Sequence, residues 1–204
     1  MYDILNLKEV HIMNQYLVVI ELTGMKERCY RKVVVDADLT MYELHLVIQT
    51  AMGWNNAHLY EFVLPNDMKI VGFFEGDSST MEIDAASVQI RDVYNKTKNL
   101  RYIYDFGDWW DHDIVISEII EQYDNSATVI EAEGVCPPED VGGVSGYEYL
   151  NNTLIAGDEE EINSILEWLA MIEYSPTDTT NVTRINEKLR EILNNTKSNH
   201  KIIH

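Results

Sequence analysis

The stretch that opens at Thr40 constrains this chain more than any other. A threonine with a glutamate three residues on, at Glu43, is the reciprocal pattern that satisfies free amides at a helix start. Leu44, Val47, Ile48, Ala51 and Met52 then recur at the spacing of one helical face, and Gly53 supplies the stop. The spacing predicts an amphipathic helix that needs a surface to cover. Runs rich in β-branched residues supply that surface. Residues 16–22 read as a strand closed by Thr23-Gly24, and residues 31–35 as its hairpin partner. Residues 59–64 read as a strand, Pro65-Asn66-Asp67 as a turn, and residues 68–74 as the returning strand.

The order strand, strand, helix, strand resembles the opening of a β-grasp arrangement. Downstream, residues 75–80 are a polar loop, and residues 88–94 read as a short strand running into a helical turn. Residues 100–104 and 109–117 form two strands around Asp105-Phe106-Gly107-Asp108, and residues 127–130 a further short strand. Helices are expected over residues 147–155 and after the acid-rich start at 158–161, where Ile162, Ile165, Leu166 and Leu169 make a buried stripe. Val182, Ile185, Leu189, Ile192 and Leu193 make a second stripe, with fraying from Asn194. The expected fold is α+β: a mixed, mainly antiparallel sheet with one N-terminal helix packed on it and C-terminal helices. Without repeats or low-complexity linkers, residues 1–204 read as one domain, with a core over 13–195 and a frayed tail over 196–204.

Charge is unevenly spread. Between Tyr102 and Thr183 there are 19 Asp or Glu and no Lys or Arg, out of a total of 35 acids and 15 bases and a net charge of -20. That half repels phosphate backbones, so nucleic acid is a disfavoured partner. A nucleic-acid role would have to use Lys26, Arg28, Arg31 and Lys32, or the tail with Lys197 and Lys201. The start carries no signal-peptide pattern, no apolar run is long enough to span a membrane, and a cytoplasmic protein is expected. Cys29 and Cys136 are too few for a disulfide framework. They could meet in the fold, but a reducing cytosol would keep them as thiols.

Three stretches concentrate unusual residues. They are Leu44-His45 with Gly53-Trp54 and the run from His58 to Phe62; the run from Tyr104 to Ile114; and Cys136-Pro137-Pro138-Glu139-Asp140-Val141-Gly142-Gly143 with Gly146-Tyr147. Together they resemble the plasmid pRiA4b open-reading-frame-three-like family, whose members also carry a transposon-passenger "TnpR"-type description. The resemblance runs from the first strand to the last helix. It rests on Tyr-Asp-Phe-Gly-Asp-x-Trp-x-His at residues 104–112 and Pro-Pro-Glu-Asp-Val-Gly-Gly with Gly-Tyr at residues 137–147. Tyr30 stands where the family more often has Trp. The resemblance implies an α+β fold and no assigned activity.

The candidate pocket is His45, Trp54, His58, Tyr104, Asp105, Asp108, Trp110, His112, Glu139 and Asp140. Asp105-Phe106-Gly107 mimics a kinase metal-binding triplet, but no companion kinase motif accompanies it. It reads as a tight turn, with Asp105 bonding backbone amides and Gly107 at positive φ. Trp110, His112, Ile114 and Ile116 share one apolar strand face, which favours a core histidine at 112. The alternative is a divalent metal held by His45, His58, Asp105, Asp108 and His112, imidazoles and carboxylates suited to zinc, manganese or iron. For His45 and His58 a structural hydrogen bond is the default. Acids around Cys136 argue against a thiol nucleophile there. Glu139 and Asp140 either grip a turn or serve as cation ligand or base.

Two readings of function follow. The favoured one is a non-catalytic binding or accessory module for a protein or peptide, using a groove lined by Trp54, Trp109 and Trp110. The other is a metal-assisted hydrolase or nuclease-like enzyme with a His/Asp site.

Overall fold

The capped helix forms as its sequence predicts. Glu43 N donates to Thr40 Oγ1 at 3.1 Å and Thr40 N to the Glu43 carboxylate at 2.8 Å, a cap contributing about 1 kcal/mol. Helix α1, Met41–Met52, ends at Gly53, whose φ of 91° only glycine adopts readily and whose N–H donates to Gln49 O. The structure, a computed structural model, describes residues 14–73, 81–120 and 123–200, with side chains as far as Thr196. The loop expected at 75–80 and the tail beyond His200 lie outside the described residues.

Among the described residues, eight strands build one sheet. They are β1 Gln15–Leu22, β2 Cys29–Asp36, β3 Tyr60–Val63, β4 Lys69–Val71, β5 Glu82–Asp84, β6 Asn99–Tyr104, β7 Trp110–Glu118 and β8 Ala127–Glu133. Their order is β5-β4-β3-β6-β7-β1-β2-β8. Every pairing is antiparallel except β4 with β5. The fold is therefore α+β with a mixed, mainly antiparallel sheet, as expected. Helix α1 carries the chain over the sheet from β2 to β3, with β1, β7 and β6 between them.

The register lines up the apolar faces. Val18, Ile20 and Leu22 sit opposite Ile116, Ile114 and His112, and Tyr102 lies on the other side of His112. Helix α1 buries more than one stripe: α5, Val182–His200, packs against it and against β8, while His45 and Gln49 face Tyr102 of the sheet. Ile185, Leu189 and Leu193 of α5 are buried as expected. The helix runs past Asn194 to His200 rather than fraying there, and Thr196 Oγ1 bonds Ile192 O at 3.0 Å. Asn186 closes part of the sheet's outer edge: its carboxamide accepts from Val129 N at 2.7 Å and donates to Val129 O at 2.9 Å.

Three local expectations need correction. The returning strand spans only Lys69–Val71. Residues 88–94 hold the short helix α2, Ile90–Tyr94, behind an isolated bridge from Thr40 to Gln89. The third concerns the hairpin of α3, Gly143–Ala156, and α4, Glu159–Met171. Asp158 caps α4 as its acid-rich start predicts, with Glu161 returning the bond, yet no residue of α4 is buried. The stripe Ile162, Ile165, Leu166 and Leu169 packs only partly, because α4 lies against α3 and not against the sheet.

Candidate functional site

The three unusual stretches converge at the C-terminal end of β6, and two aromatic side chains hold them together. Trp54 follows the α1 stop and is buried. Its ring stacks on Tyr104 at 5.0 Å and Trp110 at 5.9 Å and meets His112 edge-on at 5.4 Å. Its indole N–H donates to Pro137 O at 2.9 Å, joining the first stretch to the third. Tyr104, the last residue of β6, accepts from Ala57 N at 3.0 Å and donates to the Glu139 carboxylate. The other Glu139 oxygen accepts from Asn55 N at 3.0 Å. Glu139 thus grips the turn after α1. Burial first, and the Glu139 bond second, push the Tyr104 hydroxyl well above its ordinary range, so it stays a donor.

The turn from β6 to β7 shows how a sequence reading can get the mechanism right and the residue wrong. Asp105 Oδ1 accepts from Gly107 N at 2.9 Å, as expected. Positive φ falls at Asp105 (56°) and Trp109 (56°), not at Gly107. Asp and Asn tolerate this conformation because their short side chains bond locally. Asp108 Oδ2 accepts from Gly142 N at 3.1 Å. Gly143 (φ 67°) lies so close to the Asp108 carbonyl that a Cβ there would sit 2.4 Å from it.

The candidate metal ligands part company. His45 Nδ1 lies 2.8 Å from Tyr102 Oη and Nε2 lies 2.6 Å from Asn56 Oδ1. Gln49 Nε2 donates to Tyr102 Oη at 2.9 Å, so the Tyr102 proton points to His45 Nδ1 and Nε2 carries the ring proton. Its ring stacks on Tyr60 at 3.5 Å. Both His45 nitrogens are therefore used inside the core, and burial depresses its pKa to about 4. His112 is fully buried; its Nδ1 faces Tyr102 O and Trp110 O at 3.2 and 3.1 Å, and burial lowers its pKa to about 4 as well. Neither meets Asp105 or Asp108, since β7 turns His112 to the covered face and Asp108 is spent on Gly142.

His58, Asp105 and Asp140 do come together. Nε2 of His58 lies 3.6 Å from Asp105 Oδ2 and 3.3 Å from Asp140 Oδ1. One donor atom from each of the three lies within 4.8 Å of the others. The His58 Nε2 atom is sealed from solvent with no well-formed hydrogen bond. Asp140 is exposed, with φ 60°. Sequence reasoning named all three residues but grouped Asp140 with Glu139 and not with the imidazole. What it missed is the polar lattice of Gln49, Asn56 and Tyr102, for which the sequence offers no signal beyond residue type. Beside Glu139 and Asp140 opens a cleft of about 500 Å³, lined among others by Trp54, Pro137, Tyr174, Arg184 and Lys188.

The expected tryptophan groove does not form. Trp54 and Trp110 are buried, and Trp109 is 52% exposed, packed near Phe106 at 6.2 Å. Alternation along β7 turns Trp110 inward, and the positive φ at Trp109 turns that residue out of the ladder. Nor does the basic set near the first hairpin make a patch. Arg31 is buried, Arg28 pairs with Glu21 at 2.9 Å and Lys32 with Glu131 at 2.6 Å. Among the described residues, no helix is long and apolar enough to cross a membrane.

The comparisons agree with one another. A family model described as plasmid pRiA4b ORF-3-like protein matches residues 14–182. The uncharacterized protein y4hQ of Sinorhizobium fredii (strain NBRC 101917 / NGR234) is 36% identical over 167 residues, 79% of this chain and 84% of that protein. The crystal structure of MM3350, a protein of unknown function from Methanosarcina mazei Go1, superposes with a TM-score of 0.69 at 27% identity, covering 80% of this chain and 93% of the other.

Proposed function

This chain belongs to the plasmid pRiA4b ORF-3-like family, and we propose that it is a binding module that docks a basic, amphipathic helical segment of a partner protein on the α3–α4 hairpin. The observation that carries this is the open stripe of α4, an amphipathic helix with no buried residue. Ile155, Leu166 and Met171 are 83%, 50% and 74% exposed. Single exposed apolar residues are ordinary, so the weight rests on the α4 stripe of Ile162, Ile165, Leu166 and Leu169, which shares one helical face and holds no buried residue. Glu148, Glu159, Glu160, Glu161 and Glu167 are carried on the same two helices, with Glu173 just beyond them, and no Lys or Arg occurs between residues 102 and 183. A second copy would bring like charges together, so a basic partner is favoured over self-association. Calorimetric titration with a synthetic Leu/Lys amphipathic helix tests this, against a scrambled peptide of equal composition. The expected result is binding roughly tenfold tighter than the scrambled control, a difference that Leu166→Glu abolishes. Equal affinities would reduce the contact to bulk charge, and Leu166-dependent dimers in sedimentation would replace the basic partner with a second copy. Either result ends the reading.

A divalent cation is supported by a separate observation, the approach of His58 to Asp105 and Asp140. His58, Asp105 and Asp140 would hold zinc or manganese, for which one imidazole and two carboxylates are a suitable donor set, and the ion would supply an activated water for hydrolysis. Elemental analysis after dialysis against Zn²⁺ or Mn²⁺ should find stoichiometric metal in the native chain and a loss in Asp105→Asn. That variant keeps the oxygen that caps Gly107. Metal-free native protein would end the hydrolase reading.

A further inference from the structure

Arg31 on β2 has no solvent exposure. Its guanidinium donates to the carbonyls of Ala51, Tyr30, Glu133, Gly134 and Thr179. The ion pairs found among the described residues all involve other bases. The further hydrogen-bond partner of Arg31 among the described residues is Cys29 Sγ, 3.8 Å from Nη1. A buried cation surrounded by neutral dipoles favours an anion at such a neighbour. Cys29 also interacts side chain to side chain with Cys136, brought over by the loop that follows β8. Both cysteines are buried and free.

The two thiols are unlike. The Cys136 thiol first, and the Arg31 guanidinium after it, hold the Cys29 thiol below its ordinary range, while burial pushes Cys136 up. We propose that Cys29 and Cys136 are an oxidisable dithiol, in which Cys29, held against Arg31, is the peroxide-reactive sulfur and Cys136 is the resolving thiol. The Cys29 sulfur attacks one peroxide oxygen and breaks the O–O bond; the expelled hydroxide takes the Cys29 thiol proton and leaves as water, and a sulfenic acid remains. The Cys136 sulfur attacks that sulfur, its proton leaves with the sulfenic hydroxyl as water, and the S–S bond forms. In sum, the thiol pair loses two electrons and two protons to one hydrogen peroxide, giving one disulfide and two waters. Access is short. Thr179 and Tyr174 line the 500 Å³ cleft, and both hydrogen-bond the Cys136 backbone. The disulfide ties β2 to the loop that carries Glu139 and Asp140.

The test treats the whole folded protein with hydrogen peroxide, then alkylates it under denaturing conditions. The expected results are an intact mass lower by two hydrogens and, after digestion without reductant, a peptide joining Cys29 to Cys136. In Cys136→Ser the reaction stops at a sulfenic acid on Cys29 that dimedone traps, whereas Cys29→Ser traps none at Cys136. Both thiols still open to alkylation after peroxide has oxidised exposed methionines would overturn the proposal. So would equal trapping in the two variants. The native-chain measurement stands whether or not either variant folds.

Discussion

The Tyr104–Trp54 junction and the α3–α4 hairpin are opposite uses of the same residue types. At the junction, tryptophan, tyrosine, histidine and carboxylate are interlocked, and Glu139, Trp54 Nε1 and both nitrogens of His45 have partners. On the hairpin, an equally regular apolar pattern is left half open. A dense motif in this chain therefore marks packing, and a plain amphipathic repeat marks the surface free to meet something else.

The strongest way to break that contrast is a large-to-small exchange in each region. Trp54→Ala should destabilise by about 3–5 kcal/mol, since it empties a stacked, hydrogen-bonded site. Leu166→Ala should stay within about 0.5 kcal/mol because half of the side chain is already in water. Urea midpoints of the two variants check both, and similar losses would erase the distinction. Acid sharpens it next. His45 and His112 fold as neutral rings with pKa values of about 4, against an ordinary 6.5. Their stabilising contribution is complete above pH 6.5 and is lost as pH falls through 4, because the unfolded chain takes up the protons first. Each contributes roughly 3 kcal/mol to that loss. Unfolding free energies between pH 7 and 4 should fall steeply, and less so in His45→Gln. Glu139→Gln is the mildest probe. It keeps an oxygen for Tyr104 but weakens the grip on Asn55, costing about 1 kcal/mol. A loss as large as that of Trp54→Ala would mean that the carboxylate, not the ring, secures the junction.

Local chemistry made much of the fold legible. Thr40, Glu43 and Gly53 state where α1 begins and ends, because a cap needs only near neighbours. The even positions of β7 announce their buried face for the same reason. Legibility failed where distant contacts decide. Nothing near α4 reveals that its stripe meets α3 and not the sheet. Nothing near Asp140 reveals His58, which meets it only because Trp54, Tyr104 and Asp108 draw the double-proline loop across from the β8 side of the sheet. Gly107 misled because permissive residues attract positive φ in prediction, while here Asp105 and Trp109 adopt it.

The carboxamide of Asn186 has a consequence beyond its two bonds. Strand β8 ends the sheet, and an unpaired rim of amides and carbonyls is where strands from neighbouring molecules add on. By occupying both backbone groups of Val129, a helix side chain does at that one residue what a further strand would do. The last helix is thus a guard against fibre growth from that rim as well as a cover for the core.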